Sequence, residues 1–119
     1  MAFECWEFVE FAQLLVQTAA DNEAAMRTAV SRAYFGAYCH AKRYAIAKLG
    51  YQPQGDADDH GRLRNQFRGK LGVIGDKLHR LRLWRNEADY PDETDDDWAT
   101  LAIDSLREAE AILSRLVIA

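Results

Sequence analysis

Apolar residues return along this chain at intervals of three and four, the spacing that lines one face of an α-helix. From about Phe3 to Ala19 the positions Cys5, Val9, Ala12, Val16 and Ala19 keep that rhythm, and Asp21-Asn22 supplies a break and a cap. A longer helix is expected from about Glu23 to Leu49. The small residues Ala29, Ala33, Gly36, Ala37 and Ala41 lie inside it and admit a close neighbour, while Phe35, Cys39, Ile46 and Leu49 line another side. Apolar groups on two sides place such a helix at the centre of a bundle.

Gly50 to Asp59 reads as a loop, with Gly50, Pro53 and Gly55 as breakers and Asp56, Asp58 and Asp59 as turn or capping residues. A short helix follows, about His60 to Leu71, and Gly72 and Gly75 punctuate the gap after it. The fourth helix covers about Ile74 to Asp89 and ends at Pro91. Thr94 and Asp97 resemble a capping box with Asp in place of Glu. They open a fifth helix that runs to about Val117, with Trp98, Leu101, Ser105, Ala109, Ile112 and Leu116 on one face. Long helices on short connections pack antiparallel. The expected fold is all-α, an antiparallel up-and-down four-helix bundle with an additional short helix, in a single domain over residues 1–119.

The composition agrees: 49% hydrophobic residues are enough for one core, and 2 prolines disfavour neither long helices nor order. A net charge of −4 gives no global signal for nucleic acid or a membrane surface. The charge is nevertheless uneven. Arg62, Arg64, Arg68, Lys70, Lys77, Arg80, Arg82 and Arg85 face a single carboxylate in their stretch, Asp76. Glu87, Asp89, Asp92, Glu93, Asp95, Asp96 and Asp97 follow with no Lys or Arg among them. This reads either as two solvated faces or as a basic surface for a polyanion with an acidic edge. Cys5 and Cys39 have no metal-type spacing, and Cys39 reads as a small buried thiol in a reduced, cytoplasmic protein. The first residues lack the positive start of a signal peptide, and no apolar run approaches the length that spans a bilayer.

The chemistry concentrates at the end of the fourth helix. On a helical wheel Ile74, Leu78, Leu81, Arg85 and Ala88 share one narrow stripe. A guanidinium on an apolar stripe costs several kcal/mol if buried without a partner. Asp89, one turn on, is the local candidate; a second chain or a bound phosphate is the more distant one. Asn86 lies on another arc, where it can orient a phosphate or the Tyr90 hydroxyl. Tyr90 precedes Pro91, so helix geometry does not fix its direction.

The run Ser31-Arg32-Ala33-Tyr34-Phe35-Gly36-Ala37-Tyr38-Cys39-His40-Ala41, then His60 after the loop, then Arg85-Asn86-Glu87-Ala88-Asp89-Tyr90, resembles the HEPN superfamily (higher eukaryotes and prokaryotes nucleotide-binding), in its small stand-alone bacterial and archaeal branch. The resemblance runs from about Ala24 to the C-terminus. It implies a four- or five-helix bundle, usually a homodimer. Many members are metal-independent RNases, often toxins of toxin–antitoxin or other defence systems, and some act beside a small nucleotidyltransferase.

Carried onto this chain, the resemblance implies RNA or nucleotide binding at a dimer cleft around Arg85 to Tyr90. Arg85, Asn86 and Tyr90 are then the candidate catalytic residues. Arg85, Asp89, Arg32, Tyr34, His60 and Arg82 are the candidate binding residues, with no cofactor or metal. The family motif is an Arg, a polar residue, and a His a few residues later; this chain has Tyr90 where the His is expected. A tyrosine with its ordinary pKa near 10 is a poor base at neutral pH, whereas it still stacks and donates a hydrogen bond. Ligand binding therefore outlasts the substitution better than RNA cleavage does. His40 and His79 are the other imidazoles within reach of the idea, though both read more simply as core or surface histidines. His60 follows Asp56, Asp58 and Asp59 without a second His at ligand spacing, and reads as a helix-start cap. Two alternatives stand beside this reading: a non-catalytic interaction module partnering a nucleotidyltransferase or antitoxin, and a structural helical dimer with Arg85 salt-bridged within its own chain.

Overall fold

A computed structural model describes residues 3–90 and 93–118. Among them are five α-helices, α1 (Trp6–Thr18), α2 (Glu23–Lys48), α3 (Asp59–Gln66), α4 (Gly72–Asp89) and α5 (Trp98–Arg115), with a 3₁₀ turn at Gly69–Leu71 and no strand. No helix is long and apolar enough to cross a membrane among the described residues. Pro91, expected to stop the fourth helix, lies outside them.

The architecture follows from α2, which packs against α1, α4 and α5. Ala29, Ala33, Ala37, Ala41 and Ala45 recur every fourth residue and are fully buried, so neighbouring helices approach its backbone closely. Bulk comes from the surrounding side chains: Met26, Val30 and Tyr34 on α2, Ile74, Leu78 and Leu81 on α4, Ile112 on α5 and Leu116 just past its end. Asn22 caps α2, its side chain accepting from the Ala25 N–H at 3.0 Å, as the Asp21-Asn22 break leads one to expect.

Several boundaries and faces differ from the sequence reading; α1 starts at Trp6 rather than near Phe3, and α5 ends at Arg115 rather than near Val117. Ile46 is 48% exposed and faces away from the core, although Leu49, expected on the same side, packs against that core. The third helix stops at Gln66, and α4 begins at Gly72 with Gly75 inside it rather than in a gap. A Cβ at Gly75 would stand 3.1 Å from the Arg64 carbonyl oxygen, so this glycine lets α3 close on α4. At α5 the cap is Asp97, which accepts from the Thr100 N–H at 3.2 Å. Thr94 instead receives the Trp98 indole N–H at 2.9 Å.

Cys5 and Cys39 are joined by a disulfide, which replaces the expectation of a free, buried Cys39 thiol. It fastens the start of α1 to α2 where the two helices nearly touch. A Cβ on Gly36 would lie 2.6 Å from Val9 Cγ2 and 3.2 Å from the Cys5 carbonyl oxygen. Gly36→Ala is therefore expected to overpack this crossing by about 1–3 kcal/mol, against roughly 1 kcal/mol gained in helix propensity. A lower melting temperature is the expected reading, and a rise would mean that α1 backs away freely.

On α5, Ser105 is fully buried and its Oγ has no hydrogen-bond partner among the described residues. An unsatisfied buried hydroxyl costs about 1–3 kcal/mol. Ser105→Ala is thus expected to raise stability by about 1 kcal/mol in urea titration; a lower midpoint would reveal a partner for the hydroxyl.

Candidate functional site

The last turn of α4 is held from outside. Arg27 on α2 donates from Nε to the Ala88 carbonyl at 2.9 Å and from Nη2 to the Glu87 carbonyl at 3.3 Å. These are carbonyls a helix end leaves without intrahelical partners. The same guanidinium lies 5.0 Å from the Trp98 ring centre, tying in the start of α5.

On this fixed turn Arg85 is partly buried, its side chain 22% exposed. Its Nε lies 3.0 Å from Asp89 Oδ2 without pointing its hydrogen at that oxygen, so the pair is a charge contact more than a hydrogen bond. Nη1 donates to Asn86 Oδ1 at 3.1 Å. The local partner foreseen from sequence, Asp89, is the one found, and its Oδ2 also accepts from Ser31 Oγ at 3.2 Å. Asn86 spends its carbonyl on Arg85 rather than on the Tyr90 hydroxyl.

The two arginines of this face alternate with aromatic rings. Arg32 sits 5.5 Å from Phe8 and 4.9 Å from Phe35. Arg85 sits 5.1 Å from the same Phe35 and 5.8 Å from Tyr90. The order is Phe8, Arg32, Phe35, Arg85, Tyr90, drawn from α1, α2 and the end of α4. Tyr90 does turn toward Arg85 and remains 71% exposed. Cation–π contact on each face holds a guanidinium flat; part of each edge is already engaged, that of Arg85 by Asp89 and Asn86 and that of Arg32 by Ser31 Oγ.

A cleft of about 160 Å³ opens beside this stack, its wall including Tyr34, Tyr38, His60, Arg64, His79 and Arg82. Burial pushes the Tyr34 phenol far above its ordinary range. Its hydroxyl is hydrogen-bonded with His60 Nδ1, and the His60 ring stacks on Tyr38 at 4.3 Å. Burial is the main force lowering the His60 pKa, with Arg82 and then Arg85 adding to it and Asp59 opposing, so the imidazole is neutral at pH 7. His60 is thus a cleft residue and not a helix cap, the role read from its sequence context.

The aspartate beside it is the loop's anchor. Asp59 is buried and accepts from the Gln54 N–H at 2.9 Å, the Gly55 N–H at 2.7 Å and Arg62 Nη2 at 3.0 Å. The Gln54 backbone bond leads the forces that hold its carboxyl well below the usual carboxylate range. A folded-state pKa below the unfolded value of about 3.9 means stability that is present above that value and lost as the pH falls through the folded pKa. Asp59→Asn is expected to melt earlier than the parent at pH 7, and the gap should narrow as the pH drops below about 4. A gap unchanged down to pH 2 would show that the charge of Asp59 is not what secures the loop.

The candidate residues therefore fall into two adjoining groups. Arg32, Arg85, Asn86, Asp89 and Tyr90 meet on one face. Tyr34 and Arg82 line the cleft with His60. The residues that sequence reasoning left out are Phe8, Phe35 as a shared ring, and Tyr38. Tyr34 and Tyr38, one turn apart on a helix, were the signal that an aromatic platform awaited a partner. His40 is engaged through Nε2 with the Leu116 carbonyl and lies outside both groups, whereas His79 borders the cleft. The basic block is largely neutralised: Arg62 pairs with Asp56 and Asp59, Arg64 with Asp76, and both Lys77 and Arg80 with Glu108. Arg82 forms no ion pair among the described residues. No three His, Cys, Asp or Glu side chains there converge as a metal site. No family model, curated protein or solved structure matches this chain.

Proposed function

We propose that this chain is a HEPN-type helical bundle, one domain that pairs with a second copy and binds RNA or nucleotide along the face carrying Arg32 and Arg85. The observation behind it is the alternation of two guanidinium groups with three aromatic rings. Flat, flanked guanidinium edges suit the forked recognition of phosphate, and exposed rings such as Tyr90 suit stacking with bases. Cleavage is weak or absent in this reading, because Tyr90 stands where a proton-transferring imidazole is required and Asn86 is engaged by Arg85. Membership of a toxin–antitoxin or defence system, and a cytoplasmic location, belong to the same proposal. The test is anisotropy of labelled structured RNA titrated with purified protein at rising salt. Binding that weakens steeply with salt is expected; no binding at low salt sinks the proposal.

A second reading draws on a specific observation. Arg85 already has Asp89, and exposed Leu83 and Tyr90 border a shallow depression with Asn86 and Glu87. An interaction module would use that surface for a nucleotidyltransferase or antitoxin partner. Its mark is co-purification with the product of an adjacent gene, lost on Leu83→Asp.

A further inference from the structure

The cleft between α2, α3 and α4 has a chemistry of its own. Tyr34 is buried, and the His60 Nδ1 is the acceptor at hand for its hydroxyl proton. Buried hydroxyls donate where they can. With Nδ1 accepting, the neutral imidazole carries its hydrogen on Nε2. Tyr38 keeps its phenol proton, its pKa raised first by burial and then by Asp59. Arg82 is a cation with no ion pair among the described residues, and Arg64 meets Asp76 only at 3.6 Å. Among the described residues no Asp or Glu lines the cleft. Asp59, whose charge is felt at Tyr38 and His60, is saturated by its own loop. The cleft therefore presents donors and positive charge and no carboxylate among the described residues, and it asks for an anion with several oxygens.

Size narrows the anion. About 160 Å³ is well below the roughly 300–1,000 Å³ of pockets that take a whole ligand of drug size. That is room for a phosphate group and little more than its attached sugar. A partly enclosed recess of that size takes the end of a strand, since a strand passing through must also leave.

We infer that the cleft lined by Tyr38, His60 and Arg82 is a receptor for a terminal phosphomonoester, seated at Arg82 with the His60 Nε2–H and the Tyr38 hydroxyl as further donors. This rests on the nucleic-acid-binding reading above and adds the strand end as the recognised feature, the rest of the strand lying along the arginine–aromatic face.

The test compares one short single-stranded oligoribonucleotide with a 5′-phosphate, with a 3′-phosphate, and with hydroxyls at both ends. One phosphorylated form is expected to bind about tenfold tighter or more than the hydroxyl form, the effect of hydrogen bonds to a charged group. Adenosine 5′-monophosphate in excess should compete that increment away. Arg82→Gln should bring the ratio of the two affinities to about one, and Tyr34→Phe, which frees the imidazole, should lower it; Arg85→Ala should weaken all strands and keep the ratio. Equal affinities in the parent protein, or a preference that survives Arg82→Gln, would overturn the inference while RNA binding itself stands. If no strand binds, the wider reading falls, and titration of adenosine 5′-monophosphate followed at the His60 ring resonances decides the cleft separately. A saturable shift there keeps the phosphate site, and none removes it.

Discussion

Arg85→Ala is expected to weaken binding of structured RNA by about tenfold or more, the loss of one charge-assisted fork. The same change leaves Asp89 with Ser31 Oγ alone. Both members of the ion pair are partly exposed, at 22% and 31%, so the cost to stability is small, about 1 kcal/mol at most. That separation makes the experiment informative. Arg85→Lys keeps the charge and gives up the fork and the flat stacking surface between Phe35 and Tyr90, so its affinity should fall between parent and alanine variant. Asp89→Asn removes the partner and spares the cation, and should bind RNA no worse than the parent. Parental affinity in Arg85→Ala, with only the stability loss, would make Arg85 a structural residue and leave the interaction-module reading in its place.

Reduction of the Cys5–Cys39 bond should be the larger change in stability. The bond closes a loop with a sequence separation of 34. Chain-entropy arguments give about 3–4 kcal/mol for a loop of that length, a fall in melting temperature of roughly 15 °C for a domain of this size. Melts with and without a phosphine reductant measure it, and a mass increase of two hydrogens verifies the reduction. A loss below about 1 kcal/mol would show that Val9 and Ala12 hold α1 in place by packing. In a reducing cytoplasm the bond would stay open, and that packing would have to suffice.

What was legible in the sequence was local. The three- and four-residue recurrence marked α1 and α5, and the small residues of α2 marked it as central, because both signals are carried by neighbours one turn apart. Glycine was ambiguous. Gly50 and Gly55 break the chain, with positive φ angles of 72° and 77°, whereas Gly75 is a packing residue inside a helix, and nothing adjacent distinguishes the two uses. Ile46 was grouped with the inward side by its spacing, but it is exposed while its neighbour Ala45 is fully buried.

At the site, Arg85 and its pairing with Asp89 were readable because both lie on one helix face. The meeting of His60 with Tyr34, 26 residues apart, was not, since it depends on how α3 docks. The disulfide was invisible for the same reason: a spacing of 34 says nothing about distance in space. The basic block misled, because its carboxylate partners, above all Glu108, come from a different helix.

Phe8 is one end of the arginine–aromatic stack, and it stands three residues from the cystine that anchors the chain's opening segment. Whatever loosens the first helix, whether a protease cut, a reductant or a fusion tag pulling on the amino terminus, wets one face of Arg32. Measured affinities will therefore depend on how the front end of the polypeptide is prepared, even though most of the ligand-facing groups lie far along the chain from it.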